Sequence, residues 1–182
     1  MNIILYFFLL ITELFILIGI TIYGYGLLFS ALKGAPYVPT SKKKLRDILT
    51  AAHLKKGSTF VELGSGDGRV VRFAAKEFAV KGIGIEVNPL LVWWSRFLSR
   101  RDGTGTTVTF LRKNIFNYSL AEVDFLYLFL MPALIKKLVP QFTSQLKKES
   151  LIISHGFKLE GLEKKLVHTL QDKSFSTYYY KI

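Results

Sequence analysis

The hydrophobic positions divide this chain into two parts. From Ile3 to Leu32 nearly every residue is apolar and Glu13 carries the sole charge. Such a stretch predicts one continuous helix which, at about 1.5 Å per residue, can cross a hydrocarbon layer of about 30 Å. Beyond residue 40 short apolar runs alternate with amphipathic stripes, the pattern of strands and helices taking turns around a parallel sheet. Strands are predicted over residues 59–62, Lys81–Glu86, Val108–Arg112, residues 123–130 and residues 150–155. The fourth is apolar almost throughout, so it should lie centrally with helices on both faces. Leu45, Ile48, Leu49 and Ala52 mark a helix over 42–53, capped by Thr40 or Ser41, and Val70, Phe73, Ala74 and Phe78 mark another after Gly68. A third runs from an Asn88 cap and Pro89 to Arg101, with Leu90, Leu91, Trp94, Phe97 and Leu98 expected to bury; Trp93 and Trp94 read as core or interface residues. A fourth, over 133–145, should break or kink near Val139 because Pro140 cannot donate an amide. Two alternating segments, 164–171 and 175–181, flank Asp172-Lys173-Ser174 and predict a hairpin.

This organisation gives an N-terminal transmembrane anchor (1–33), a linker (34–41) and one α/β domain (42–182). The linker, Gly34-Ala35-Pro36-Tyr37-Val38-Pro39-Thr40, holds two prolines that favour extended structure; Tyr37 either packs on the domain or acts as a flap over a bound cofactor. A cleaved leader is disfavoured, since the apolar run is too long and no basic segment precedes it. Lys33, Lys42, Lys43, Lys44 and Arg46 follow the span, so the positive-inside rule expects a single-pass protein with its domain on the cytoplasmic side. The net charge is +12, which suits an anionic membrane surface and also nucleic acid. Tethering makes the membrane the simpler partner. The chain has no cysteine, and its three histidines are scattered at 53, 155 and 168, so no metal site is expected.

The candidate chemistry starts at Glu62-Leu63-Gly64-Ser65-Gly66-Asp67-Gly68, where the first strand ends in an acid and opens into alternating glycines before a helix. Strand, glycine turn and helix together bring backbone close to a nucleotide-like ligand. The spacing differs from the G-x-G-x-x-G of dinucleotide folds. A pyrophosphate gains nothing from Glu62, whereas the cationic amino acid part of S-adenosylmethionine is drawn to Glu62 or Asp67. Glu86 ends the second strand, where a carboxylate can accept ribose hydroxyls. Asn114, just past the third strand, is either an adenine contact or a turn residue.

These motifs, with Ile85-Glu86-Val87-Asn88-Pro89, resemble those of class I S-adenosylmethionine-dependent methyltransferases. Pro36-Tyr37-Val38-Pro39-Thr40, Tyr127-Leu128-Phe129-Leu130-Met131-Pro132 and Ile153-Ser154-His155-Gly156-Phe157 are further similar to the membrane-anchored protein-lysine methyltransferases of mitochondria and their prokaryotic relatives. The resemblance implies a doubly wound, seven-stranded Rossmann-like sheet ending in an antiparallel hairpin. It implies methyl transfer to lysine of a partner protein, here expected to be membrane-associated. Glu62, Gly64, Ser65, Gly66, Asp67 and Gly68 would hold the methionine moiety, Glu86 the ribose and Asn114 the adenine. Tyr127 and His155 are the candidate catalytic residues, as lining of the amine approach and as proton acceptor; each could equally be a buried structural residue. Tyr37, Phe129, Met131 and Pro132 would form an apolar rim for a lysine stem. The run Phe129-Leu130-Met131-Pro132 departs from the Asn/Asp-Pro-Pro-aromatic motif of base-directed enzymes, and no separate recognition domain is present, so nucleic acid is not the expected substrate. A lipid or quinone-like substrate, or a binding module without catalysis, are the alternatives.

Overall fold

The computed structural model describes residues 3–32 and 40–182; Tyr37 and most of the predicted linker lie outside them. The chain falls into two compact units, Met1–Tyr37 and Val38–Ile182. The first contains helix α1 (Ile3–Leu32). Its side chains from Ile3 to Thr21 are exposed, and this part is long and apolar enough to cross a membrane. The hydroxyls of Thr12 and Thr21 donate to the carbonyls of Phe8 and Leu17, each at 2.8 Å, so these polar groups find partners inside the helix, as an apolar solvent requires.

The second unit runs α2 (Lys42–Ala51), β1 (Thr59–Leu63), α3 (Arg69–Phe78), β2 (Lys81–Glu86), α4 (Pro89–Arg101), β3 (Val108–Arg112), β4 (Phe125–Leu128), α5 (Pro132–Gln145), β5 (Leu151–His155), β6 (Leu166–Leu170) and β7 (Thr177–Lys181). The seven strands form one sheet in the order β3-β2-β1-β4-β5-β7-β6. The first five run parallel, and β7 enters antiparallel between β5 and β6. This is the α/β sheet with a terminal hairpin that the sequence implied. The chain order reverses between β1 and β4, the place where open α/β sheets bind ligands at their strand ends.

Alternate residues of the strands explain why both faces are covered. Phe60, Phe125, Tyr127, Ile153 and Tyr179 share one core with Leu45, Ile48 and Leu49 of α2 and Val70, Val71 and Ala74 of α3. Their neighbours in sequence, Val61, Leu126, Ile152 and Tyr180, are buried as well. The Tyr179 hydroxyl donates to the Ile48 carbonyl at 2.9 Å, fastening α2 to the last strand. At the other end of the strands the Asp124 carboxylate accepts the Thr59 amide and the Lys147 ammonium, both at 2.7 Å.

Three local expectations are corrected. Helix α5 runs through Pro140 without interruption. Pro140 and Lys136, whose carbonyl the proline cannot bond, are both exposed, so that carbonyl is free to turn to water, and Ser144 Oγ donates to the Pro140 carbonyl at 2.9 Å. The segment at 164–171 opens with a 3-10 turn, Glu163–Lys165, before β6, and a register shift interrupts its pairing with β7 between Leu166 and His168. In α4 the buried residues are Val92, Ser95, Leu98 and Ser99; Leu90, Trp94 and Phe97, expected inside, are exposed. The reason lies in close approach. A Cβ on Gly68 would come 3.1 Å from Ser95 Cβ and 2.3 Å from the Phe110 ring, so α4 must present small side chains there and its aromatic stripe turns outward.

The same crowding fixes the glycines of β2. A Cβ on Gly84 would meet the Phe110 ring at 2.5 Å and Ser65 Oγ at 2.7 Å. Gly84→Ala should therefore destabilise the domain by about 1–3 kcal/mol through overpacking, read from the shift of the urea midpoint in detergent at unchanged m-value.

Candidate active site

The two halves of the glycine-and-acid signature are joined by a single carboxylate. Glu86 Oε2 accepts the Gly66 amide at 2.9 Å, while Oε1 accepts the amides of Val87 at 2.9 Å and Asn88 at 2.8 Å. The Asn88 side chain in turn accepts the Leu90 amide at 3.0 Å and caps α4. Glu86 is thus fixed by three donors, and of the four or so lone-pair positions of a carboxylate one on Oε2 is left for a ligand hydroxyl.

The loop itself keeps its amides. Gly64 and Ser65 donate to the Ile85 carbonyl at 2.9 and 3.0 Å, Gly66 to Glu86, and Gly68 to the Ser65 carbonyl at 2.8 Å. The first amide of α3, from Arg69, is taken by Asp67 Oδ1 at 3.1 Å. An anion cradle needs such groups free, so this turn is not built for pyrophosphate. It offers a cation site instead. Glu62 is 5% exposed and its Oε2 has no hydrogen-bond partner among the described residues. Burial, followed by the charge of Asp67, lifts its carboxyl well above the usual range; the Val71 amide opposes this, Glu86 adds to it and the Arg69 charge opposes it. Glu62, Asp67 and Glu86 therefore share one neighbourhood. A buried carboxylate oxygen without a partner is expensive, and a ligand ammonium is the group that compensates it.

Other candidate residues make contacts within the protein. The Ser65 hydroxyl is buried without a hydrogen-bond partner among the described residues and lies against Gly84. Gly64 (φ +76°) and Gly68 (φ +73°) adopt the left-handed region, and their missing Cβ atoms leave room for Leu130 and Phe110. The Asn114 carboxamide oxygen accepts the Phe116 amide at 3.1 Å, and the Lys113 amide, bonded to the Glu86 carbonyl at 3.0 Å, keeps Asn114 close in the chain to the end of β2.

Tyr127 pairs in register with Glu62 across β1 and β4 and is fully buried. Burial and then the Glu62 charge push its phenol well above the ordinary value, with a smaller opposing pull from the Thr40 hydroxyl. His155 is 1% exposed and its Nδ1 lies 2.8 Å from Thr177 Oγ1. Burial, reinforced by the Lys44 charge and opposed by Asp172, lowers its pKa to about 4, so the ring is neutral and a weak proton acceptor. It makes edge contacts with Phe129, at 4.6 Å between centroids, and with Phe175. Met131 and Pro132 are exposed at the start of α5. Sequence reasoning missed Phe175, which the hairpin returns onto Phe129 at 5.3 Å, and Thr40, whose carbonyl meets the Arg69 guanidinium that also grips Asp67. Arg69 followed the last glycine of the motif directly and could have been read; Phe175 depends on a long-range return that no local pattern encodes.

Comparison with known proteins agrees with this geometry. Residues 62–166 match the family model described as the ANTKMT methyltransferase domain. The chain belongs to the ANTKMT methyltransferase family. It is 33% identical over 153 residues to a lysine N-methyltransferase of Caenorhabditis elegans that is named for a subunit of ATP synthase, covering 80% of each chain. It is 30% identical over 138 residues to a protein-lysine N-methyltransferase of Saccharolobus islandicus strain REY15A, covering 75% of this chain and 86% of the relative. A solved RNA methyltransferase from Salinibacter ruber, in complex with S-adenosyl-L-homocysteine, superposes with a TM-score of 0.75 at 30% identity, covering 80% of this chain and 94% of that one. The protein is accordingly a class I S-adenosylmethionine-dependent methyltransferase.

Glu62→Gln separates fold from ligand. Because the folded pKa of Glu62 is raised, its carboxyl favours the native state below the ordinary carboxylate range and that contribution is lost as pH rises through the folded value. The amide should therefore raise the thermal midpoint of the ligand-free protein at pH 8 relative to wild type. In calorimetry it should weaken S-adenosylmethionine binding by roughly 10- to 100-fold, the loss of one charge-assisted contact.

Proposed function

We propose that this protein is a membrane-tethered lysine N-methyltransferase acting on a protein substrate in or at the same membrane. The observation that carries the reading is the match to the Saccharolobus islandicus protein-lysine N-methyltransferase along 86% of that protein. The Caenorhabditis elegans relative, whose name gives lysine of an ATP synthase chain as its target, supports a protein substrate. Helix α1 supports a tether: Ile3–Thr21 can span a bilayer. Lys42, Lys43, Lys44 and Arg46 follow it, which favours the cytoplasmic side for the domain.

In this reading Glu62 and Asp67 answer the ammonium of the cofactor's amino acid part, with the Gly64, Ser65, Gly66 and Gly68 backbone shaping the turn. Glu86 takes a ribose hydroxyl and Asn114 the adenine edge. When bound, S-adenosylmethionine supplies a methyl group on a sulfonium that needs no further activation. The protein's remaining tasks are to hold a neutral amine in line and to keep water away. Phe129, Met131 and Pro132 would receive the lysine stem, and their apolar surroundings disfavour the ammonium form. His155 contributes an uncharged wall, since at a pKa of about 4 it does not retain a proton from lysine; the amine sheds that proton to bulk water before it enters the apolar site. Tyr127 lines the floor beside Glu62. Positioning alone can supply about 7–11 kcal/mol of such a barrier.

A second reading follows from the Salinibacter ruber neighbour, described as an RNA methyltransferase, and from the net charge of +12. Incubating membranes and ribosomes with enzyme and methyl-labelled cofactor decides between them. We expect label in protein, recovered as methyl-lysine after hydrolysis, and more than roughly a 100-fold loss in Glu86→Ala, whose removal frees three amides and unfastens the glycine loop. Label in RNA or in the organic extract would favour a nucleic acid or a lipid or quinone-like substrate instead. A protein that binds no cofactor would be a module without catalysis.

A further inference from the structure

Helix α4 presents an aromatic face that the domain does not use. Leu90, Trp93, Trp94 and Phe97 are 42%, 64%, 41% and 43% exposed. Their spacing of i, i+3, i+4, i+7 places them on one side of the helix. The rings form a continuous surface: Trp94 stacks on Phe97 with centroids 5.3 Å apart, and Trp93 lies 6.2 Å from both. Val92, Ser95, Leu98 and Ser99 occupy the opposite side against the sheet. Monomeric soluble domains rarely leave such an apolar strip uncovered.

The surroundings of the strip indicate what covers it. No acid occurs between Pro89 and Arg101, and exposed Arg100 and Arg101 close the helix. Tryptophan with arginine at one edge is the composition that suits a headgroup layer, where an indole can bury its ring and keep its N–H wet while cations meet lipid phosphates. The same chain carries the apolar helix α1.

We propose that the Leu90-Trp93-Trp94-Phe97 face of α4 is a lipid-contact surface that seats the catalytic domain on an anionic bilayer, with Arg100 and Arg101 at the headgroups. The proposal rests on the tether reading above and goes beyond it, because a tether alone leaves the orientation of the domain open. Leu90 is bonded through its amide to Asn88, whose own amide is held by Glu86. Seating α4 therefore brings the ribose end of the cofactor site to the lipid surface, where a lysine of an embedded protein emerges.

The chain has two tryptophans, both on this face, so intrinsic tryptophan fluorescence reports on it alone. The full chain is reconstituted in nanodiscs of phosphatidylcholine and phosphatidylglycerol, with and without bromine on the upper acyl chains. The expected result is loss of emission in brominated discs, increasing with the phosphatidylglycerol fraction. Paired Leu90→Ser and Phe97→Ser substitutions, both at exposed positions, should reduce the loss. Emission that is equal in the two kinds of disc, while the chain co-elutes with them, overturns the lipid contact and leaves the tether intact. Blue-shifted emission that bromine does not quench means that protein, a second copy included, covers the face, and overturns it too. A chain that fails to co-elute with the discs overturns the tether and this proposal together.

Discussion

The Glu86 carboxylate is the joint on which the domain turns. By accepting amides from Gly66, Val87 and Asn88 it ties the turn after β1 to the end of β2 and to the cap of α4. Three elements that carry the candidate ligand contacts thus move as one body. Rigid placement of this kind is what a displacement reaction asks of a protein, because alignment rather than acid–base chemistry carries the barrier.

Glu62 is the counterpart that lacks such support. It sits two residues before the first glycine, buried beside Asp67 and Glu86, with one oxygen left without a partner among the described residues. In the free protein this opposes folding; with a cation present the same burial strengthens the contact, because the local dielectric is low. The domain therefore stores part of its binding energy as a local defect, a pattern expected where structure is shaped for a ligand. The amides of Gly64, Ser65, Gly66 and Gly68 are bonded within the protein, an arrangement that suits a cation better than a diphosphate.

Much of this was legible in the sequence because it was local. Period-two and helical stripes gave the strands and helices to within a few residues, and the tail's two alternating segments gave the hairpin. Glu62 and Glu86 stood out because each lies at the C-terminal end of a strand, Glu62 one residue short of it and Glu86 as its last residue, before a forced turn. What escaped depended on distant contacts. Trp94 and Phe97 have the spacing of a buried stripe, yet the approach of Gly68 to Ser95 reserves the inner side of α4 for small residues. Pro140 breaks a helix by local rule, and its exposure lifts the penalty. Phe175 reaches Phe129 only because β7 inserts beside β5. For His155 the sequence left a proton acceptor and a buried structural residue both open, and its burial favours the second.

The outer strand β6 has a consequence of a different kind. A sheet with an open rim can recruit stray chains by continuing its ladder. Here the rim strand is short, follows Lys164 and Lys165, and slips register between Leu166 and His168. An interrupted, positively charged border is a poor template for a further strand, so crowded copies of this enzyme are protected from fibre-like stacking along that side.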